Sequence, residues 1–242
     1  TLSRPLLKAI ENIGWISPTE IQSIVIPRAL AGRDICGSAM TGSGKTGAFL
    51  LPVLERLLLG NHTYKSKNAA VKATRVLIIS PTRELAIQIY STLVKLLLYI
   101  DSISHCLIVG GTKNIRQQEN QLRLRPDIVV ATPGRLLDHL TNSPDFNLDD
   151  LEILVMDEVD QLLSKGFAEE TENILSLISP ERYLGFSATN SIEVDERLRA
   201  VLPRHEFSFL KTEETVDKKL TFDVSPTILH YKKKLSNEVN PP

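Results

Sequence analysis

Short runs rich in Ile, Val and Leu alternate along this chain with longer segments whose apolar residues recur at helical spacing. The runs Asp34–Ser38, Arg75–Ser80, His105–Val109, Ile128–Ala131, Ile153–Met156, Tyr183–Phe186 and Glu206–Phe209 have the length and apolar content of buried strands. Between them Lys45–Leu59, Arg83–Tyr99, Asn114–Leu122, Gly134–Leu140, Ala168–Ile178 and Ile192–Val201 are predicted helices. Strands apolar on both faces, separated by helices, predict an α/β fold with a mainly parallel sheet and helices on both of its faces. Gly60 to Thr74 reads as a polar surface connection. The pattern holds over residues 1–210 and decays over 211–242, so the expectation is one domain and a linker, with the opening of a further strand at Thr227–Tyr231.

Composition narrows this picture only slightly. The 242 residues can bury one sizeable core, and 42% hydrophobic with 24% charged residues is ordinary for a globular domain. No apolar run approaches the roughly 20 residues of a membrane-spanning helix, so a soluble protein without a membrane partner is expected. Cys36 and Cys106 each sit inside an apolar run and read as buried free thiols in a reducing compartment. No charged-then-apolar leader precedes Thr1-Leu2-Ser3, which opens in mid-pattern, so any targeting signal is expected outside this stretch. A net charge of −1 argues against coating nucleic acid through bulk charge and leaves room only for a local groove. Of the basic clusters, Lys65, Lys67, Lys72 and Arg75 read as a solvated loop; Arg123 and Arg125, in the mainly basic stretch from Lys113, read as surface charges.

Three strings carry the chemistry. Ala39-Met40-Thr41-Gly42-Ser43-Gly44-Lys45-Thr46 lies between a predicted strand and a predicted helix. Its glycines let successive backbone N–H groups close around a polyphosphate, Lys45 neutralises it, and the Thr46 hydroxyl can face Mg²⁺. Asp157 and Glu158 follow a hydrophobic strand, one carboxylate suited to the metal shell and the other to orienting or deprotonating water. Ser187-Ala188-Thr189 follows the next strand. In a doubly wound sheet ligands gather beyond the carboxyl ends of the strands, so the three strings are expected to converge.

Further strings make the pattern specific. The segment Gly14-Trp15-Ile16-Ser17-Pro18-Thr19-Glu20-Ile21-Gln22 resembles a Q motif, Pro81-Thr82-Arg83-Glu84-Leu85 a motif Ia, and Gly110-Gly111 and Thr132-Pro133-Gly134-Arg135 the next RNA-facing elements. With the AxTGSGKT loop, Asp157-Glu158-Val159-Asp160 and Ser187-Ala188-Thr189, the chain resembles the amino-terminal RecA-like, P-loop NTPase domain of a DEAD-box RNA helicase of superfamily 2. The resemblance covers roughly residues 2 to 210. It implies ATP and Mg²⁺ as cofactors, with Thr19 and Gln22 beside the phosphate loop, the Gln22 carboxamide reading adenine, Lys45 on the β/γ-phosphates, and Thr46 and Asp157 on Mg²⁺. Glu158 would activate water, and Asp160 would tie its motif to Ser187 and Thr189. Pro81, Arg83, Gly111, Thr132, Gly134 and Arg135 align with positions that contact the RNA sugar-phosphate backbone, which carries little sequence information.

The resemblance also implies partners that the residues alone do not: a second RecA-like domain in cis bearing the arginine string HRxGRxGR, and pre-ribosomal proteins. Leu2–Ile10, Asp34-Ile35-Cys36 and Asn142–Leu148 are similar to the branch implicated in large-ribosomal-subunit assembly, which implies the nucleus or nucleolus. The piece shown is expected to be monomeric, to lack the adenine-stacking aromatic that the family carries upstream, and to be nearly inactive alone. Val159 departs from the usual alanine, with chemistry expected to survive, and Trp15 is expected to pack the Q-motif turn rather than stack on a base. An ATP-gated RNA clamp without turnover is the alternative; intact Lys45, Asp157 and Glu158 favour the enzyme. A small-molecule phosphotransferase would leave the Q motif, Thr132–Arg135 and Ser187–Thr189 without a role.

Overall fold

Seven strands pair in parallel in the order β3-β4-β2-β5-β6-β1-β7. They are β1 (Ile35–Ser38), β2 (Val76–Ile79), β3 (His105–Ile108), β4 (Ile128–Ala131), β5 (Ile153–Asp157), β6 (Arg182–Ser187) and β7 (Ser208–Lys211). This is a computed structural model, and it describes residues 2–63, 72–111, 115–143, 145–164, 166–188, 192–203 and 205–211. Residues 1–212 form one compact unit. Thr189, Lys65, Lys67, Lys113 and the segment 213–242 with its expected linker and strand lie outside the described residues.

Each strand serves two cores because its side chains alternate between faces. Ile35, Val76, Ile78, Ile128, Val130, Ile153, Val155 and Phe186 face one cluster. Cys36, Leu77, Ile79, Val129, Leu154, Met156 and Tyr183 face the other. The first cluster is covered by α1 (Arg4–Ile13), α2 (Glu20–Leu30), α3 (Lys45–Thr63) and α4 (Arg83–Leu96). The second is covered by α5 (Ile115–Arg123), α6 (Pro133–Asn142), the single turn α7 (Val159–Leu162), α8 (Ala168–Leu177) and α9 (Ile192–Val201). The expected α/β sheet with helices on both faces is therefore present, and among the described strands it is entirely parallel. Cys36 and Cys106 are buried thiols outside any disulfide, as expected. Among the described residues no helix is long and apolar enough to cross a membrane.

Three differences from the sequence expectation have physical causes. Helices α1 and α2 were not anticipated, although α1 carries a helical stripe, Leu6 and Ala9 buried with Ile10 and Ile13 packed against the first cluster. The backbone N–H of Ser3, just before α1, donates to Glu55 Oε2 on α3 at 2.7 Å, and Gly14 ends α1 with φ of 83°, open to glycine at little cost. Helix α3 runs through Gly60 to Thr63, into the expected loop, because Gly60 is not among the glycines with positive φ and nothing there turns the chain. Strand β7 lies two residues later than the apolar run suggested. Its register against β1 begins with Ile35 opposite Ser208, while Phe207 is spent on an edge contact with Tyr183, ring centres 5.1 Å apart.

Candidate functional site

The sheet order places β1, β5 and β6 side by side, so the three chemical strings leave neighbouring strands at one carboxyl edge. Asp157 pairs with Phe186 in register and Ser38 with Ser187, while the Ala39 N–H donates to the Ser187 carbonyl at 3.1 Å. The start of the phosphate loop is thus stitched to the Ser187 string. Asp160 lies in the first turn of α7, its carboxylate accepting from the Gln161 N–H at 3.1 Å. Thr41 and Met40 are exposed, Ser43 and Thr46 half-buried, and Gly42 and Gly44 take φ of 83° and 93°, which bends the backbone around the space a phosphate would fill.

Lys45 and Glu158 face each other inside this bend. Lys45 Nζ donates to Glu158 Oε1 at 2.9 Å, and both side chains are only 7% exposed. Glu158 reaches the lysine from a left-handed backbone, φ 52° and ψ 56°, that turns β5 abruptly into α7. A non-glycine residue there costs roughly 1–2 kcal/mol, and its retention at the carboxylate is typical of strain held at functional positions. Burial raises the Asp157 carboxyl to about 6; Lys45 opposes the shift, and Glu158 and Asp160 add to it. Asp157 Oδ1 is buried with no hydrogen-bond partner among the described residues. An acceptor left in that state costs about 1–3 kcal/mol unless something fills it.

That orphaned oxygen, an adjacent second carboxylate and the half-buried Thr46 fit a hard divalent cation. No group of three or more His, Cys, Asp or Glu able to hold a metal exists among the described residues. Magnesium is commonly held by one or two protein carboxylates, with phosphate and water completing its shell.

The Q-motif segment lies directly against the phosphate loop. Gln22 Nε2 donates to the Gly44 carbonyl at 3.1 Å, and Gln22 Oε1 accepts from the Thr19 N–H at 3.1 Å. The carboxamide expected to read adenine is therefore buried and committed to the loop and to the start of α2, while Thr19 is exposed. A Cβ on Gly44 would meet Gln22 at 2.7 Å, and one on Gly47 would meet both Gln22 at 2.7 Å and Trp15 at 2.9 Å. Trp15 thus packs the turn, as its sequence context suggested. Gly47 was not singled out from the sequence; its signal was a glycine in the first turn of a long helix, where propensity disfavours it.

The other half of the sheet edge, β3, β4 and β2, opens into a groove of about 400 Å³. All six positions expected to face RNA line it: Pro81, Arg83, Gly111, Thr132, Gly134 and Arg135. Thr82 caps α4 by accepting from the Leu85 N–H at 3.3 Å, which sets Arg83 at the helix start. Thr132 precedes α6, so the backbone N–H groups of Gly134 and Arg135, which follow the donorless Pro133 in the first turn, favour an anion. Gly111 has φ of 73° and a Cβ there would meet Arg83 at 2.9 Å, so glycine lets the arginine lie close to the wall. Gly166, Phe167 and Glu170 complete the lining and were not found in the sequence, since they come from the turn before α8 and its first turn. Arg123 is a surface charge, 3.2 Å from Asp145.

The DEAD/DEAH box helicase family profile matches residues 19–197. The chain is 51% identical over 205 residues to a protein of Sclerotinia sclerotiorum named ATP-dependent RNA helicase drs1, covering 84% of this chain and 24% of that one. It is 48% identical over 221 residues to the protein of the same name from Schizosaccharomyces pombe, covering 91% and 28%. A solved DEAD box protein from the hyperthermophile Methanococcus jannaschii superposes with a TM-score of 0.74 at 34% identity, over 88% of this chain and 55% of that one. The chain spans about a quarter of the length of these curated relatives. With its phosphate loop, acidic turn and glycine-arginine groove on one sheet edge, the chain belongs to the DEAD/DEAH box helicase family.

Proposed function

We propose that this domain binds ATP with Mg²⁺ and RNA side by side, as the first half of an ATP-dependent RNA helicase. The observation that carries it is the buried Lys45–Glu158 pair beside an orphaned Asp157 oxygen, on the same sheet edge as the Arg83 and Arg135 groove. In this arrangement Lys45 neutralises Glu158. A bound triphosphate would compete for Lys45, since a phosphate oxygen is a stronger partner for an ammonium group than a single carboxylate oxygen. Glu158, released from the pair, is then free to accept a proton from a water aimed at the terminal phosphate. Thr46 and Asp157 would hold the magnesium ion, which supplies charge neutralisation on the phosphate oxygens. Gln22, placed between Thr19 and Gly44, couples the Q-motif turn to the loop; the second N–H and the second oxygen lone pair of the same carboxamide are the groups that would read adenine.

RNA lies across the groove through its backbone, with Arg83 and Arg135 and the N–H groups of the α6 start as contacts. A second RecA-like domain in cis completes the site, and work on pre-ribosomal RNA in the nucleolus follows from the likeness to the branch named above. Both belong to the whole protein rather than to this domain.

The test is ATP turnover of the full-length protein with and without single-stranded RNA, beside the 242-residue chain. Saturable stimulation in the full-length protein, with little turnover by the chain alone, is the expected result. RNA retained in an ATP-dependent way without turnover would favour a clamp, and indifference of both proteins to RNA would sink the proposal.

A further inference from the structure

A chain of buried polar groups runs from one wall of the groove to the other and ends on Arg135. Gln118, on α5, is buried, and its Nε2 donates to the Val109 carbonyl at 3.0 Å. Val109 immediately precedes Gly110 and Gly111, which line the groove. A carbonyl only accepts, so this bond fixes the amide orientation and leaves Gln118 Oε1 facing the other way. That oxygen accepts from Arg135 Nη1 at 3.1 Å and lies 3.2 Å from His139 Nε2. Because Oε1 cannot donate, His139 carries its proton on Nε2, and its Nδ1 accepts from the Ser143 hydroxyl at 3.2 Å.

We propose that Gln118 and His139 are positioning residues that hold the Arg135 guanidinium in the groove and set its spacing from the Gly110-Gly111 wall. The inference rests on the RNA reading of the groove. Arg135 projects from the first turn of α6 and its side chain is only 13% exposed. A free arginine loses rotamer entropy when a ligand fixes it. Arg135 is fixed in advance, with one guanidinium nitrogen on Gln118 and Nε turned toward Asp138 at 3.8 Å. Its remaining donors have no partner among the described residues, which leaves part of the fork for a phosphate. The alternative, that Gln118 and His139 merely fill the core, does not account for the pattern. Buried amide and imidazole groups are costly where apolar side chains of similar volume would pack, and Gln118 bonds both to the arginine and to the backbone beside the opposite wall, with His139 on the same amide oxygen.

The experiment uses the full-length protein, a labelled single-stranded oligoribonucleotide and a non-hydrolysable ATP analogue, with affinity measured across salt concentration. Arg135→Ala should weaken binding about tenfold and flatten the salt slope by about 0.7, the loss of one single-strand phosphate contact. Gln118→Leu should weaken binding on the order of threefold with a shallower slope, while affinity for the analogue is unchanged. The double variant should bind no more weakly than Arg135→Ala alone, because a positioning residue has nothing left to position. His139→Phe, which keeps the Gln118–Arg135 bond, should give a smaller loss in the same direction. Wild-type RNA affinity and slope in Gln118→Leu, or full additivity with Arg135→Ala, would overturn the proposal. If Gln118→Leu does not fold, wild-type affinity in His139→Phe overturns it instead. No effect from Arg135→Ala would remove the RNA reading itself, a distinct outcome.

Discussion

At the ends of β1, β5 and β6 the functional side chains are buried and bound to one another, whereas at the ends of β3, β4 and β2 they line an open groove. Lys45, Asp157 and Glu158 are each less than 7% exposed, and Arg83 is exposed. The two halves share a strand border, where Ile79 of β2 pairs with Met156 of β5, so the same edge supports both. Under the proposed function, their difference follows from what each would recognise. A triphosphate and its metal are compact and highly charged, and desolvated charges at fixed positions bind them strongly. A nucleic-acid backbone is extended and repetitive, so groove-lining arginines and helix-start N–H groups reach it without enclosing it. The nucleotide half is therefore part of the core, and the groove half is laid upon it.

The sharpest way to break this contrast is through Glu158, the carboxylate proposed to activate water. Glu158→Gln keeps an oxygen that can accept from Lys45, so the fold and nucleotide binding should persist while turnover in the full-length protein falls about 10²–10⁴-fold. Single-turnover hydrolysis at saturating RNA measures this, and near-normal rates would remove Glu158 from the chemistry.

A second comparison sets Lys45→Ala against Arg83→Ala in denaturant unfolding without nucleotide. Removing Lys45 strands two buried carboxylates, and breaking a buried pair in this way costs about 3 kcal/mol before any neutralisation by proton uptake. Arg83→Ala should leave the midpoint where it is, because an exposed arginine contributes little to stability. Equal effects would show that the two halves are not built on different principles.

The smallest effect concerns pH. Burial lowers the pKa of His139 below its ordinary 6.5, Arg135 lowers it further, and Asp138 and Glu119 oppose the shift. The folded state therefore binds this proton less readily than the unfolded chain, so the contribution of neutral His139 is complete above about 6.5 and declines as pH falls below it. Asp157 and Glu152, whose pKa values are raised, act in the opposite sense but titrate in any His139 variant too. Melting curves of wild type and His139→Phe between pH 7.5 and 5.5 isolate the histidine, and wild type should lose more stability across that range. An equal loss in both proteins would show that His139 stays protonated to the same extent folded and unfolded.

Val159 illustrates how far the residue string reached. Its departure from alanine was visible in the sequence, and its consequence was not: the side chain is fully buried in the second cluster with Leu162 and Met156, so the two extra methyls fill space rather than displace the carboxylates. Gln22 shows the reverse, since its importance was legible while its bonds to Gly44 and Thr19 were not.

The sequence by itself determined the α/β class, the seven strands to within two residues, and the strings that became the phosphate loop, the acidic turn and the groove lining, because apolar periodicity and glycine placement are local properties of the chain. Only the tertiary structure decided which strings became neighbours. The strand order split the carboxyl edge into a nucleotide half and a groove half. It brought Lys45 to Glu158 across 113 positions, and it threaded Gln118 and His139 behind Arg135. These partners lie far apart in the chain, and no local pattern encodes a contact that forms only when parallel strands choose their order and two helices pack over their ends.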